Sequence, residues 1–224
     1  MDVETVDYYG ACDKAIQAMN RSNLEAFGQL KMAKWDQLNV IQTVKKVYRK
    51  SERQARQRYY EVAFEAYLLM MALCGVDPKK AHRMAEETIT EAWVADVLNQ
   101  TDFVTLYRFD TEAERKAYRL AEALEVSQDK GFEVDKALRF WSQQLGQYAI
   151  NMTDYAMLAA LDDAGVKWVR WVTMHDEKVC NDCRPLDGQV FRLEEVPPKH
   201  WGCRCRLAPV FRSRDDRKVE QDTA

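Results

Sequence analysis

Turn-forming residues are scarce in this chain of 224 residues, which has only five prolines and eight glycines. That scarcity argues against both a loop-rich β fold and a disordered chain. Long apolar runs are missing too. The greasiest stretch, Tyr67-Leu68-Leu69-Met70-Met71-Ala72-Leu73-Cys74, falls well short of the roughly 18–20 residues a membrane-spanning helix needs and reads as a buried helix end. There is no strong charge of one sign: the net charge is −3, so whole-chain charge selects no class of partner. No internal repeat or low-complexity tract is present. The opening Met1-Asp2-Val3-Glu4-Thr5 is acidic and has no apolar core, so no signal peptide is expected and the chain reads as soluble, without membrane association, in a reducing cytosol. Length allows one or two domains, and 47% apolar residues suffice for a packed core.

Cysteine is nearly absent until the chain is four-fifths complete. The first 179 residues hold only Cys12 and Cys74, which read as small buried hydrophobes. Then Cys180, Cys183, His200, Cys203 and Cys205 fall within 26 residues. A C-x-x-C pair, a gap of 19 residues and a C-x-C pair with a histidine just upstream is close to a zinc pattern, departing from it in the second pair. A C-x-x-C turn brings two thiolates to one ion. On a strand, Cys203 and Cys205 would face the same side, because side-chain direction repeats every two residues. Five candidates stand for four places: four thiolates, or three thiolates with His200 replacing one. A reducing compartment disfavours a disulfide. A redox C-x-x-C needs a βαβ setting that the sequence lacks. A catalytic zinc needs an open position and a general base, and no motif such as H-E-x-x-H supplies one. Structural zinc is the expectation.

Residues 1–165 read as a helical body. Tyr9, Cys12, Ile16, Met19 and Asn23 recur at helical intervals. A long helix is predicted from about Asp36 to Cys74, ended by Gly75 as C-cap, with a break near Lys50-Ser51 left open. Asp77-Pro78 opens a helix running to about Leu98, as N-cap and first helical residue. Phe103–Tyr107 links to Thr111-Glu112-Ala113-Glu114, a capping-box pattern. The last helix of the body spans about Glu133–Asp163, ended by Gly165. His82 and His175 read as surface or hydrogen-bonded histidines.

One charge run stands out inside the long helix. Lys45, Lys46, Arg49, Lys50, Arg53, Arg56 and Arg58 face a single acid, Glu52. Residues 45, 49, 53 and 56 share a helix face, so the face must be solvated, paired with acids of the same body, or set against an acidic protein or nucleic-acid phosphate.

After Gly165 the period changes. Val166–Thr173 alternates and is rich in β-branched and aromatic residues. With Gln189–Leu193, entered through the turn Asp187-Gly188, and with Cys203–Val210 it predicts a small antiparallel sheet. A sheet this small needs a staple, and the cysteine cluster sits where one is required. The chain is thus expected to be mainly α: a multi-helix body (1–165), a small zinc-stapled antiparallel β module (166–211) and a mobile charged tail (212–224).

The run Asp176-x-x-x-Cys180-x-x-Cys183-x-x-Leu186-Asp187-Gly188, followed by His200-x-x-Cys203-Arg204-Cys205, resembles the C-terminal signature of the phage Mu F-like minor head proteins, the phage head morphogenesis family. The resemblance covers roughly residues 145–210. It implies a non-enzymatic minor capsid protein of a tailed phage or prophage, assembled in the host bacterial cytoplasm. Its implied place is inside the capsid at the portal vertex, with the portal protein and the major capsid protein as partners and packaged double-stranded DNA within reach. Carried onto this chain, the metal ligands are Cys180, Cys183, His200, Cys203 and Cys205, with Asp176 and Asp187-Gly188 shaping the site. The contact to DNA or portal is expected from Lys45, Lys46, Arg49, Lys50, Arg53 and Arg56. The rival readings are a nucleic-acid-binding zinc module and a metal-dependent hydrolase or nuclease.

Overall fold

A computed structural model describes residues 7–31, 37–101 and 112–211. The tail 212–224, the Phe103–Tyr107 link and Thr111 lie outside the described residues. The order is α1 (Gly10–Lys31), α2 (Gln37–Leu73), α3 (Pro78–Thr88), α4 (Glu91–Thr101), α5 (Glu112–Val126), α6 (Lys130–Asp163), then β1 (Trp168–Val172), β2 (Val190–Arg192) and β3 (Arg206–Val210). The described residues are mainly helical with one small antiparallel sheet, as the sequence predicts.

The described chain divides into two compact units, one of residues 9–63 and 89–153, the other of residues 7–8, 64–88 and 154–211. In the first unit, Leu30 of α1, Val40, Val44, Val47 and Tyr48 of α2, Ala113, Ala117, Leu120 and Leu124 of α5, and Val134, Leu138 and Trp141 of α6 form one buried cluster. These positions recur every three or four residues, the period at which side chains share a helix face. Tyr48 meets Trp141 edge to face at 6.0 Å. Lys116 is buried among the rings of Tyr48, Phe140 and Trp141 and donates to the Gln144 side chain.

The α2 helix runs through Lys50-Ser51 without a break. Its buried stripe explains why: Val44, Tyr48, Ala55, Tyr59, Val62 and Ala63 keep helical spacing on both sides of the basic run, so one rod satisfies both. At about 1.5 Å per residue the helix is about 55 Å long. Gly75 ends it at φ 72°, with Gly75 N–H donating to Ala72 O and Val76 N–H to Met71 O. That pairing is a Schellman cap. Gly165 repeats it after α6 at φ 72°, bonding Asp162 O, with Val166 bonding Leu161 O. No atom within 4 Å would meet a Cβ at Gly165, so the cost of Gly165→Ala is backbone strain alone. We expect about 1–2 kcal/mol of destabilisation in denaturant melts.

The helix expected from Asp77 to Leu98 is two helices. Asp77 caps α3 through the N–H groups of Lys79 and Lys80, at 3.1 and 3.0 Å. Thr90 then caps α4, its hydroxyl accepting from Trp93 N–H at 3.1 Å. A threonine that accepts from the amide three residues on begins a new helix rather than continuing the old one. The α6 helix also begins earlier than Glu133: Asp129 accepts from Phe132 N–H at 3.0 Å and caps a helix that starts at Lys130.

In the second unit, Asp163 at the end of α6 accepts from Tyr67 of α2 at 2.5 Å and from Thr88 of α3 at 2.9 Å, joining three helix ends. The sheet order is β2-β1-β3, all antiparallel. Val169 and Trp171 are buried on one face of β1, while Arg170 between them is exposed. On the other edge pairing, Trp168 lies opposite Arg192, whose guanidinium sits 5.7 Å from the indole.

Candidate metal centre

Two loops of the β module carry the cluster. The first connects β1 to β2. Its C-x-x-C turn leads into a short 3-10 turn, Arg184–Leu186, in which Pro185 suits the early position. Asp187 closes this loop: its Oδ1 accepts from the N–H and hydroxyl of Thr173 at 2.8 and 3.0 Å, and its Oδ2 lies 2.9 Å from His175 Nε2. Gly188 follows at φ 75°. The second loop connects β2 to β3 and brings His200, Cys203 and Cys205 back over the first. The expected strand over Cys203–Val210 begins only at Arg206. Cys203 and Cys205 therefore sit on the loop entering β3, where Cys203 N–H bonds His200 O at 3.1 Å. The turn takes that amide out of the sheet ladder, yet both thiols remain buried.

All five predicted donors come together. Cys180 Sγ is 3.0 Å and Cys183 Sγ 3.2 Å from His200 Nε2, and Cys183 Sγ is 3.7 Å from Cys203 Sγ. The donor atoms of Cys180, Cys183 and His200 all lie within 4.8 Å of one another, as do those of Cys183, Cys203 and Cys205. Ligands of one tetrahedral zinc, at bond lengths of about 2.0–2.3 Å, lie about 3.3–3.8 Å apart. The His200 ring is set for such a role. Its Nδ1 is 2.8 Å from Trp201 O, so an Nδ1–H donated there leaves Nε2 as the electron-pair donor facing the sulfurs.

The sulfurs are electrostatically divided. The Cys205 thiol donating to Cys203, aided by the Cys205 amide and nearby Lys199, brings Cys203 down to about 5 against burial. Cys180 is lowered by the Cys183 N–H at 3.3 Å, with the Asp182 N–H and His200 adding to it. Burial pushes Cys183 up to about 12. Cys205 is raised because it gives its proton to Cys203 and is itself buried. Two thiolate-prone sulfurs beside two thiols suit a cation that displaces the remaining protons. The donor set is soft sulfur and borderline imidazole, which suits a transition metal and not calcium or magnesium.

Three polar contacts brace the loops; the sequence reads His175 as a surface or hydrogen-bonded histidine but pairs none of the three with its partner. Arg204, between the last two cysteines, makes a two-pronged contact with Asp176 at 2.8 and 2.8 Å. That bond holds Asp176 below the usual carboxylate range. Lys199 bonds Asp154 of α6 at 2.6 Å and Cys205 O at 2.5 Å. His175 adopts a left-handed φ of 53° and reaches Asp187. The signal for Arg204 and Lys199 was their place beside ligands, but the acids they meet lie 28 and 45 residues away.

Burial opposes ionisation of Asp187, but the Thr173 amide, its hydroxyl and His175 outweigh it, and the carboxyl sits below its usual range. A depressed folded value stabilises the fold above the unfolded value of about 3.9 and loses that stabilisation as pH falls through the folded value. Replacing Asp187 with Asn is expected to flatten the acid limb of a stability–pH profile below about pH 4. An unchanged limb would show that another group carries it.

Along α2, Lys46, Arg49, Lys50 and Arg53 are exposed. Arg56 meets Glu52 at 3.4 Å and Arg58 meets Glu61 at 2.8 Å. Lys45, grouped with this face in the sequence, turns instead toward Glu114, at 2.5 Å, and lies 5.7 Å from the Tyr118 ring. No helix among the described residues is long and apolar enough to cross a membrane.

No curated protein and no solved structure matches the chain. A family model does match, over residues 121–208. That stretch contains all of α6, β1 and β2, and all five sulfur and imidazole donors. Over residues 121–208, then, the chain is similar to the phage Mu protein F like family.

Proposed function

We propose that this chain is a non-enzymatic structural component of a tailed-phage or prophage head, acting in head morphogenesis. The observation that carries the reading is the family match over 121–208, which coincides with the cysteine–histidine module. In this reading the chain sits inside the capsid at the portal vertex, against the portal protein and the major capsid protein, after assembly in the host cytoplasm. The metal is zinc. Cys180, Cys183, His200, Cys203 and Cys205 can fill every tetrahedral position from protein, which is the arrangement of a structural site; a catalytic zinc keeps a position open. Zinc then supplies a rigid two-loop surface that a sheet of three short strands cannot hold by burial alone.

The exposed Lys46, Arg49, Lys50 and Arg53 of α2 favour a contact with packaged DNA or an acidic portal surface. If the partner is DNA, binding falls steeply with salt and ignores sequence, because each neutralised phosphate releases counterions. The charge reversals Arg49→Glu and Arg53→Glu are expected to abolish it. DNA retention unchanged by both reversals would remove DNA from the partners. A nucleic-acid-binding module without a head role is the second reading, and those same exposed cations favour it.

The deciding experiment is co-expression with the portal protein of the same phage or prophage, followed by sizing and mass measurement. A stoichiometric complex stable in high salt is expected. No association at either low or high salt, together with salt-sensitive DNA binding, would favour the second reading.

A further inference from the structure

Five donors around one tetrahedral ion leave one over, and the geometry does not treat the five alike. The two groups of three donors share a single member, Cys183. Remove Cys180, His200, Cys203 or Cys205, and one complete group of three survives beside a fourth donor from the other group. Remove Cys183, and only two pairs are left: Cys180 with His200 at 3.0 Å, and Cys203 with Cys205. Among the described residues no three of those four have donor atoms mutually within 4.8 Å.

Cys183 is also firmly seated. Like Cys203, the residue is 2% exposed. Its carbonyl accepts from Leu186 N–H at 3.1 Å, and its own amide is fixed on Cys180 Sγ at 3.3 Å. Its sulfur is the one placed close to both sides, 3.2 Å from His200 Nε2 and 3.7 Å from Cys203 Sγ. The outer pair is more open: Cys180 is half-buried and His200 exposed.

We infer that Cys183 is the obligatory ligand of this centre and that Cys180, His200, Cys203 and Cys205 are mutually replaceable, one of them being spare. The inference rests on the metal-centre reading above and adds the division of labour among its ligands. Its consequence is a site that keeps its ion when one outer donor is oxidised or alkylated. A four-donor site has no such reserve.

The test uses the full chain and zinc itself. Single variants C180A, H200A, C203A, C205A and C183A are loaded with zinc, and affinity is read by chelator competition. The first four are expected to bind one equivalent within about tenfold of wild type, and C183A about 100-fold more weakly or worse. C205A controls for packing, since Cys205 is buried as Cys183 is. Should C183A fail to fold, zinc-loaded wild type can be alkylated sparingly and weighed by native mass spectrometry. Singly alkylated chains that keep zinc should carry the label on Cys180, Cys203 or Cys205, or on the non-ligands Cys12 and Cys74, and never on Cys183. Zinc-retaining chains labelled at Cys183, or a C183A affinity equal to that of the other variants, would overturn the assignment alone. Wild type that takes up no zinc would overturn the metal-centre reading itself.

Discussion

Stripping the metal with a chelator, or replacing Cys180 and Cys183 together by serine, is expected to unfold residues 166–211 while most of the helical circular-dichroism signal persists. The module has little else to hold it. Its strands are five, three and five residues long, and the fully covered apolar side chains of the sheet are Val169, Trp171, Leu207 and Ala208. Burial of so few side chains, at about 1.5–3 kcal/mol each, cannot offset about 1–2 kcal/mol per ordered backbone residue over two long loops. Structural zinc in small modules contributes about 10–16 kcal/mol of apparent binding free energy at neutral pH, enough to reverse that balance. Three of the six tryptophans, Trp168, Trp171 and Trp201, report on the module, so their fluorescence should shift with metal loss. Purified protein should carry about one zinc per chain. An unchanged melting transition after complete metal removal would show that the loops hold themselves.

Local chemistry made much of this architecture readable, and long-range pairing made the rest opaque. Gly75, Gly165 and the Asp77-Pro78 pair each mark a helix end through a bond to a neighbour within five residues, so the sequence carries the whole signal. The five metal donors were readable because sulfur and imidazole crowd into one short stretch for few reasons other than a shared ion. The helix break at Thr90 was hidden. Ile89 is buried and falls at helical spacing, so the hydrophobic period runs on where the backbone stops. Lys45 misled for the opposite reason: its neighbours in sequence are exposed cations, but its partner Glu114 is 69 residues away. The strand at Cys203 failed because alternation of C-x-C fits a strand and a folded loop equally well, and the Cys203–His200 turn decides between them.

Asp154→Ala is expected to destabilise the second unit by about 2–4 kcal/mol, the second largest effect after metal loss. Asp154 and Lys199 are only 14% and 16% exposed, with Nζ 2.6 Å from Oδ1. The same ammonium is 2.5 Å from Cys205 O, so it ties the loop of the last ligands to α6. Both ions have already left water. Removing the carboxylate leaves a largely buried ammonium without the Asp154 charge, and the penalty comes from that weakened compensation more than from the lost attraction. The double variant Asp154→Ala with Lys199→Met removes both charges, keeps most of the apolar stem and should recover most of the loss. A double-mutant cycle in denaturant measures the coupling directly. Equal losses for the single and double variants would mean that side-chain packing, and not the ion pair, joins the ligand loop to the helix. Salt separates the two as well, since a pair this covered is screened far less than the exposed contacts Arg56–Glu52 and Arg58–Glu61 on α2.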